Sequence, residues 1–199
     1  MAVSTIGVAD ASSPDKYLHT SQRTISGTAR EDQYVLQGMG AYPTYSVAAY
    51  EIAADATGDH VLQIMGDGSN YSRLIRLQIM ANVATSATRC GLTIKRLSSA
   101  GTGGSSITAQ PFDTTDTYGG GAMTLPTTGG TEGVTLFNVS MLMPTGAGDA
   151  NYWEWQAHPL GKPIIFGTST ANGIVIEMNS TITGAKFSVN AEFIVTSYL

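Results

Sequence analysis

Three stretches of this chain alternate apolar and polar residues with a period of two. In residues 73–80, Ile75, Leu77 and Ile79 fall on one side and Arg76 and Gln78 on the other. Cys90, Leu92 and Ile94 repeat the pattern against Thr93 and Lys95, and near the C-terminus Phe187, Val189, Ala191, Phe193 and Val195 oppose Ser188, Asn190, Glu192 and Ile194. Side chains two apart share one face of a strand, so this spacing predicts half-buried strands of an antiparallel sheet. Shorter apolar runs at 60–65, 107–112, 134–143, 151–156, 163–166 and 174–178, each bounded by Gly, Pro, Asn or Asp, predict further strands, roughly eight to ten in all. Only residues 47–56 resemble a helix, and that stretch is short and poorly capped; residues 34–52 also carry possible edge-strand character. The expected fold is all-β, an antiparallel β-sandwich of jelly-roll type over residues 34–199. Residues 1–33 mix charges and small residues with almost no apolar periodicity, which predicts an extended N-terminal arm, disordered or held by a neighbour.

Composition agrees with strands. Of the 199 residues only 13% are charged, and Thr, Ser and 23 Gly fill the gap. Thr suits pleated strands and Gly suits tight turns. The net charge of −5, without any run of Lys or Arg, argues against a nucleic-acid partner. No apolar run approaches the roughly 20 residues that cross a bilayer, and Met1-Ala-Val-Ser-Thr5 lacks the basic and apolar regions of a secretory leader, so no membrane association and synthesis in a host cytoplasm are expected. The Asn-x-Ser/Thr matches at Asn70, Asn138 and Asn179 then carry little weight as glycosylation sites.

Candidate chemistry is sparse. The single cysteine, Cys90, lies in an apolar alternation and reads as a buried hydrophobe. His19, His60 and His158 lack zinc-ligand spacing. Gly101-Thr-Gly-Gly-Ser-Ser106 has no following Lys and reads as an inter-strand loop rather than a phosphate cradle. Asp113 and Asp116 fit an Asx-stabilised turn better than a carboxylate pair or a calcium site. Between Arg96 and Lys162 there is no basic residue while five acids occur, which reads as an acidic solvated face before a cation site. No Gly-x-Ser-x-Gly elbow marks a nucleophile, so no catalytic residue, metal or cofactor is assigned and the chain is expected not to be an enzyme. Trp153-Glu154-Trp155 puts both indoles on one strand face, where they fill a core or subunit interface or, alternatively, form a glycan-stacking platform.

The order of these elements resembles a family of small proteins from tailed-bacteriophage structural gene clusters. The matching segments are Arg73-Leu-Ile-Arg-Leu77, Leu92-Thr-Ile-Lys-Arg96, Ser99-Ala-Gly-Thr-Gly-Gly-Ser-Ser106, Gln110-Pro-Phe-Asp113, Trp153-Glu-Trp155, Lys162-Pro-Ile-Ile-Phe166, Ala171-Asn-Gly-Ile-Val-Ile176, the closing 187–195 strand, and Gln22-Arg-Thr-Ile-Ser26 with Gln33-Tyr-Val-Leu36 in the arm. Gly119-Gly-Gly121 and Met141-Leu-Met143 match nothing in that family. The resemblance implies a β-sandwich virion protein, a capsid decoration (cement) or minor capsid subunit, with the major capsid protein and copies of itself as partners, a trimer being favoured. Expected arm contacts are Tyr17, Leu18, Arg23, Ile25 and Arg30. The alternative is a tail-associated, receptor-binding module for surface glycans, using the Trp153 and Trp155 face.

Overall fold

The computed structural model describes residues 3–7, 17–25, 28–34, 42–146, 151–159 and 161–197, the first three segments by their backbone. The chain divides into two units, Met1–Ala41 and Tyr42–Leu199. In the first unit, β1 (Val3–Gly7), β2 (Tyr17–Ile25) and β3 (Thr28–Tyr34) form an antiparallel sheet in the order β1-β2-β3. The backbone of the expected arm is therefore extended where it is described, but it pairs with itself. Tyr17, Leu18, Arg23, Ile25 and Arg30 all lie on β2 or β3, and their side chains fall outside the described residues.

The second unit is all-β, built from two antiparallel sheets that face each other across one core. Its long strands are β4 (Thr44–Ile52), β5 (His60–Met65), β6 (Tyr71–Val83), β7 (Thr88–Leu97), β11 (Glu132–Met143), β12 (Asn151–Gln156), β14 (Gly173–Met178) and β15 (Lys186–Thr196); β8 (Ser105–Ile107), β9 (Gln110–Pro111), β10 (Ala122–Thr124) and β13 (Ile164–Phe166) are short. One sheet runs β12-β6-β15-β4-β9, with β13 also on β6, and the other runs β11-β7-β14-β5-β10-β8. The pairings of the long strands nest: β7 with β11, β6 with β12, β5 with β14, β4 with β15.

The alternating positions meet between the sheets. Cys90, Leu92 and Ile94 face Leu77, Ile79 and the row Phe187, Val189, Ala191, Phe193, with Ile174, Ile176 and Met178 beside them, all buried in one cluster. Met141 and Met143 belong to the same core, and Leu142 between them points out. An aromatic group closes one end: Phe193 stacks on Tyr45 with centroids 5.7 Å apart and lies 4.9 Å from Tyr118. The Tyr118 hydroxyl donates to Met65 O at 2.7 Å and meets Ser72 Oγ at 3.1 Å, tying the two sheets together. Burial pushes that phenol up to about 12.

The structure corrects the sequence reading in several places. Residues 47–56 are not helical, since Thr44–Ile52 is a strand paired with β15 along its length. β-branched and aromatic residues there outweigh the alanines once a neighbouring strand supplies hydrogen bonds. In the 73–80 stretch Leu77 and Ile79 are buried as expected, but Leu74 and not Ile75 joins them, because a bulge between the β6 and β15 registers leaves Ile75 unpaired and resets the faces. The predicted 107–112 strand is two short pieces in different sheets, β8 pairing with β10 and β9 with β4. Twelve strands are described in this unit, more than the eight to ten expected, and the excess is these short pieces. Near the free edge of β4 a bulge opposite Ser188 holds Glu51 at φ 52°, with its N–H donating to Ser188 Oγ at 3.3 Å. Such a kink discourages edge-to-edge pairing.

Candidate functional site

The outer face of the β11-β7-β14-β5 sheet carries a connected set of polar side chains. All six residues of β5 are buried, which a strand with one wet face would not show. A bulge between Ile176 and Glu177 in the β14–β5 register makes Val61 the extra residue, so His60 shares the outer face with Gln63. Loops 98–104 and 126–131 then cover that face. They are zipped by Ser98 N–H to Thr131 O at 2.9 Å and by reciprocal bonds between Thr102 and Thr128 at 2.9 and 3.2 Å. Glycine makes this possible: a Cβ on Gly101 would sit 2.7 Å from Thr128 O and 2.8 Å from Gln63 Nε2, and one on Gly130 would sit 2.0 Å from Ser99 O. The Gly-rich stretch at 101–106 is thus a loop lying flat on the sheet, leading into β8.

Beneath the loops a polar chain crosses four elements. Gly101 N–H donates to Gln63 Oε1 at 2.8 Å, Gln63 Nε2 meets His60 Nδ1, and His60 Nε2 meets Glu132 Oε1 at 2.8 Å. Lys95 Nζ donates to Glu132 Oε2 at 2.6 Å and pairs with Glu177. Burial would raise the Glu132 carboxyl, but bonds from Lys95 and His60 overcome it and hold it below the usual carboxylate range. The Lys95 ammonium is raised: burial works against it, and the hydrogen bonds and charges of both glutamates prevail. Beside this chain lies a half-open cavity of about 170 Å³, with Gln63, Met65, Ala100, Ile107 and Met123 in its lining. That is well below the roughly 300 Å³ of ordinary small-molecule clefts.

The other candidate residues take ordinary structural places. Trp153 and Trp155 are brought together on the inward face of β12, partly buried, with centroids 5.9 and 5.8 Å from Phe137 of β11. They close the margin where the two sheets' edge strands approach. Glu154 faces out, accepting from Gln78 at 2.6 Å. Asp113 Oδ1 accepts from Thr115 N–H at 3.0 Å and Thr115 Oγ1 at 2.8 Å, an Asx turn. His158 is exposed, and His19 falls outside the residues whose side chains are described. Among the described residues no group of three His, Cys, Asp or Glu side chains could hold a metal ion, and no helix is long and apolar enough to cross a membrane.

Cys90 is fully buried, and desolvation pushes its thiol up to about 11. Because the thiolate is the reactive form, Cys90 is expected to resist an aromatic disulfide reagent in the folded protein and to react only as fast as the chain unfolds. Modification within seconds under native conditions would contradict this burial.

No protein-family model, curated protein or solved structure matches this chain.

Proposed function

We propose that this chain is a non-catalytic, jelly-roll subunit of a tailed-phage particle, acting as a capsid decoration or minor capsid protein. The observation that carries the reading is the nested order of the eight long strands. Numbered one to eight along the chain, they lie 6-3-8-1 in one sheet and 5-4-7-2 in the other, the pattern of a folded hairpin wrapped on itself. Jelly rolls of this kind build capsid and lectin domains. Fold alone does not choose between those roles, so the choice rests on surface chemistry.

Two surface features favour subunit contacts. The tryptophans that a glycan platform would need face inward against Phe137. On the opposite face of the same sheet, Tyr152 (62% exposed) and Met80 (40%) are cross-strand partners, and Tyr50 (80%) lies on β4 near Ser188, the β15 partner of Met80. Tyr and Met are enriched where proteins meet. In this reading the sandwich sits on the major capsid protein and on its own copies as a symmetric trimer, with Tyr17, Leu18, Arg23, Ile25 and Arg30 of the N-terminal unit adding contacts to a neighbour.

The test is the copy number of this chain in purified particles, measured by quantitative mass spectrometry, together with sedimentation of the isolated protein. Hundreds of copies per particle and an oligomer in solution are expected. A few copies would move the protein to a tail or vertex and revive glycan binding. A monomer absent from heads and tails alike would end the proposal.

A further inference from the structure

The polar chain on the outer sheet face has a direction, fixed by one donor. The Gly101 N–H can only donate, so the Gln63 atom it meets at 2.8 Å is the carbonyl Oε1, which leaves the Gln63 amide nitrogen toward His60 Nδ1. That nitrogen also only donates. Nδ1 must therefore accept, and the single proton of a neutral His60 ring sits on Nε2, directed at Glu132 Oε1 2.8 Å away. Charging the ring adds a hydrogen at Nδ1, and two N–H groups then confront each other. Turning the Gln63 amide over would restore the bond to His60, but it would present Nε2 to the Gly101 N–H. The chain can satisfy Gly101 or a doubly protonated His60, not both.

We infer that His60 and Gln63 form a proton-operated latch, which holds the 98–104 loop against the sheet while His60 is neutral and releases it when His60 is charged. The charged groups around the ring come from three neighbouring strands. Glu132 of β11 faces Nε2, Lys95 of β7 is paired with Glu132 and Glu177, and Glu177 of β14 is the register partner of His60. One ammonium and two carboxylates give this cluster a charge of −1 around a neutral ring, and zero once the ring is protonated. Asp59, next in the chain, is occupied by the N–H groups of Asp55 and Ala56. Gly129 backs directly onto the ring, where a Cβ would sit 2.9 Å from His60 Cε1.

Release has a defined consequence. Ala100, adjacent to the latched Gly101, walls the cavity of about 170 Å³ that Met65, Ile107 and Met123 also line. Lifting the loop widens that cavity and uncovers the apolar surface beneath it. The latch stands on its own geometry, whether or not the chain belongs to a particle.

The test follows two nuclei of the full chain by NMR across about pH 5 to 8, the range in which histidines change charge. His60 Cε1–H reports the ring, and hydrogen-exchange protection of the Gly101 amide reports the loop. Protection at Gly101 is expected to fall by about tenfold or more across the interval in which His60 titrates, with matching midpoints. In Gln63→Met, the Gly101 amide should be unprotected at every pH while His60 still titrates. A Gly101 amide that stays protected throughout the titration of His60 would overturn the latch, and so would a His60 that never charges before the protein unfolds. The wild-type titration decides the question even if the variant does not fold.

Discussion

Replacing Phe193 with alanine is expected to cost about 3–5 kcal/mol, the range for emptying a buried aromatic site. Phe193 has no exposed surface and sits at the centre of the aromatic group, 5.7 Å from Tyr45, 4.9 Å from Tyr118 and 6.5 Å from Phe166 between ring centroids. It lies on β15, which is hydrogen-bonded on both sides, so the backbone cannot relax inward to fill the space. Since a whole domain is stable by only about 5–15 kcal/mol, the variant should be near its unfolding limit at room temperature. The measurement is the urea midpoint against wild type, with an unchanged slope. A loss below about 1 kcal/mol would mean that these rings do not form a packed unit.

The second large effect is electrostatic. In Lys95→Met the glutamates at 132 and 177 lose their shared cation, although Lys95, Glu132 and Glu177 are only 20%, 28% and 13% exposed. Stranding carboxylates in this way is expected to cost about 3 kcal/mol at neutral pH, the lower end of the range for a broken buried ion pair. The pH dependence follows from the carboxyl of Glu132. Its folded pKa is held down, so the stability it contributes is complete above its unfolded value and is lost as pH falls through the folded value. The gap between wild type and Lys95→Met should thus be widest near neutrality and shrink below about pH 4. Urea melts at several pH values measure it. A gap that is constant from neutral to acid would show that Lys95 contributes through its methylene stem and not its charge.

The strands that could be read from the sequence are those in which pattern and burial coincide. Asn151–Gln156 and His60–Met65 end where the alternation and turn residues place them, and the buried rows of β7 and β15 are the apolar rows of the sequence. What could not be read depends on bulges. The one at Ile75 shifts burial to Leu74, and the one at Val61 brings His60 and Gln63 to the same face, although residues three apart on a regular strand point oppositely. The polar network was hidden for that reason: Lys95, Glu132, Glu177, His60 and Gln63 come from four strands, and no spacing along the chain announces their meeting. The cover over β5 was hidden too, because glycine loops carry no apolar signal even when they bury what lies beneath them. The two tryptophans were legible as sharing a face, but which way that face points depended on Phe137, sixteen residues before Trp153 in sequence and on the other sheet.

The position of β15 between β4 and β6 constrains how the protein can be made. Ribosomes deliver β15 after both strands that it separates, so the growing chain must wait with one sheet missing its middle member. During that interval β4 and β6 offer open backbone edges and the apolar residues that Phe187, Val189 and Phe193 will later cover. Assembly by long-range pairing is slow, on a scale of about milliseconds to seconds. The interval before β15 emerges and pairs is thus when this fold is most exposed to self-association, and a premature stop anywhere before residue 186 would leave that hazard permanent.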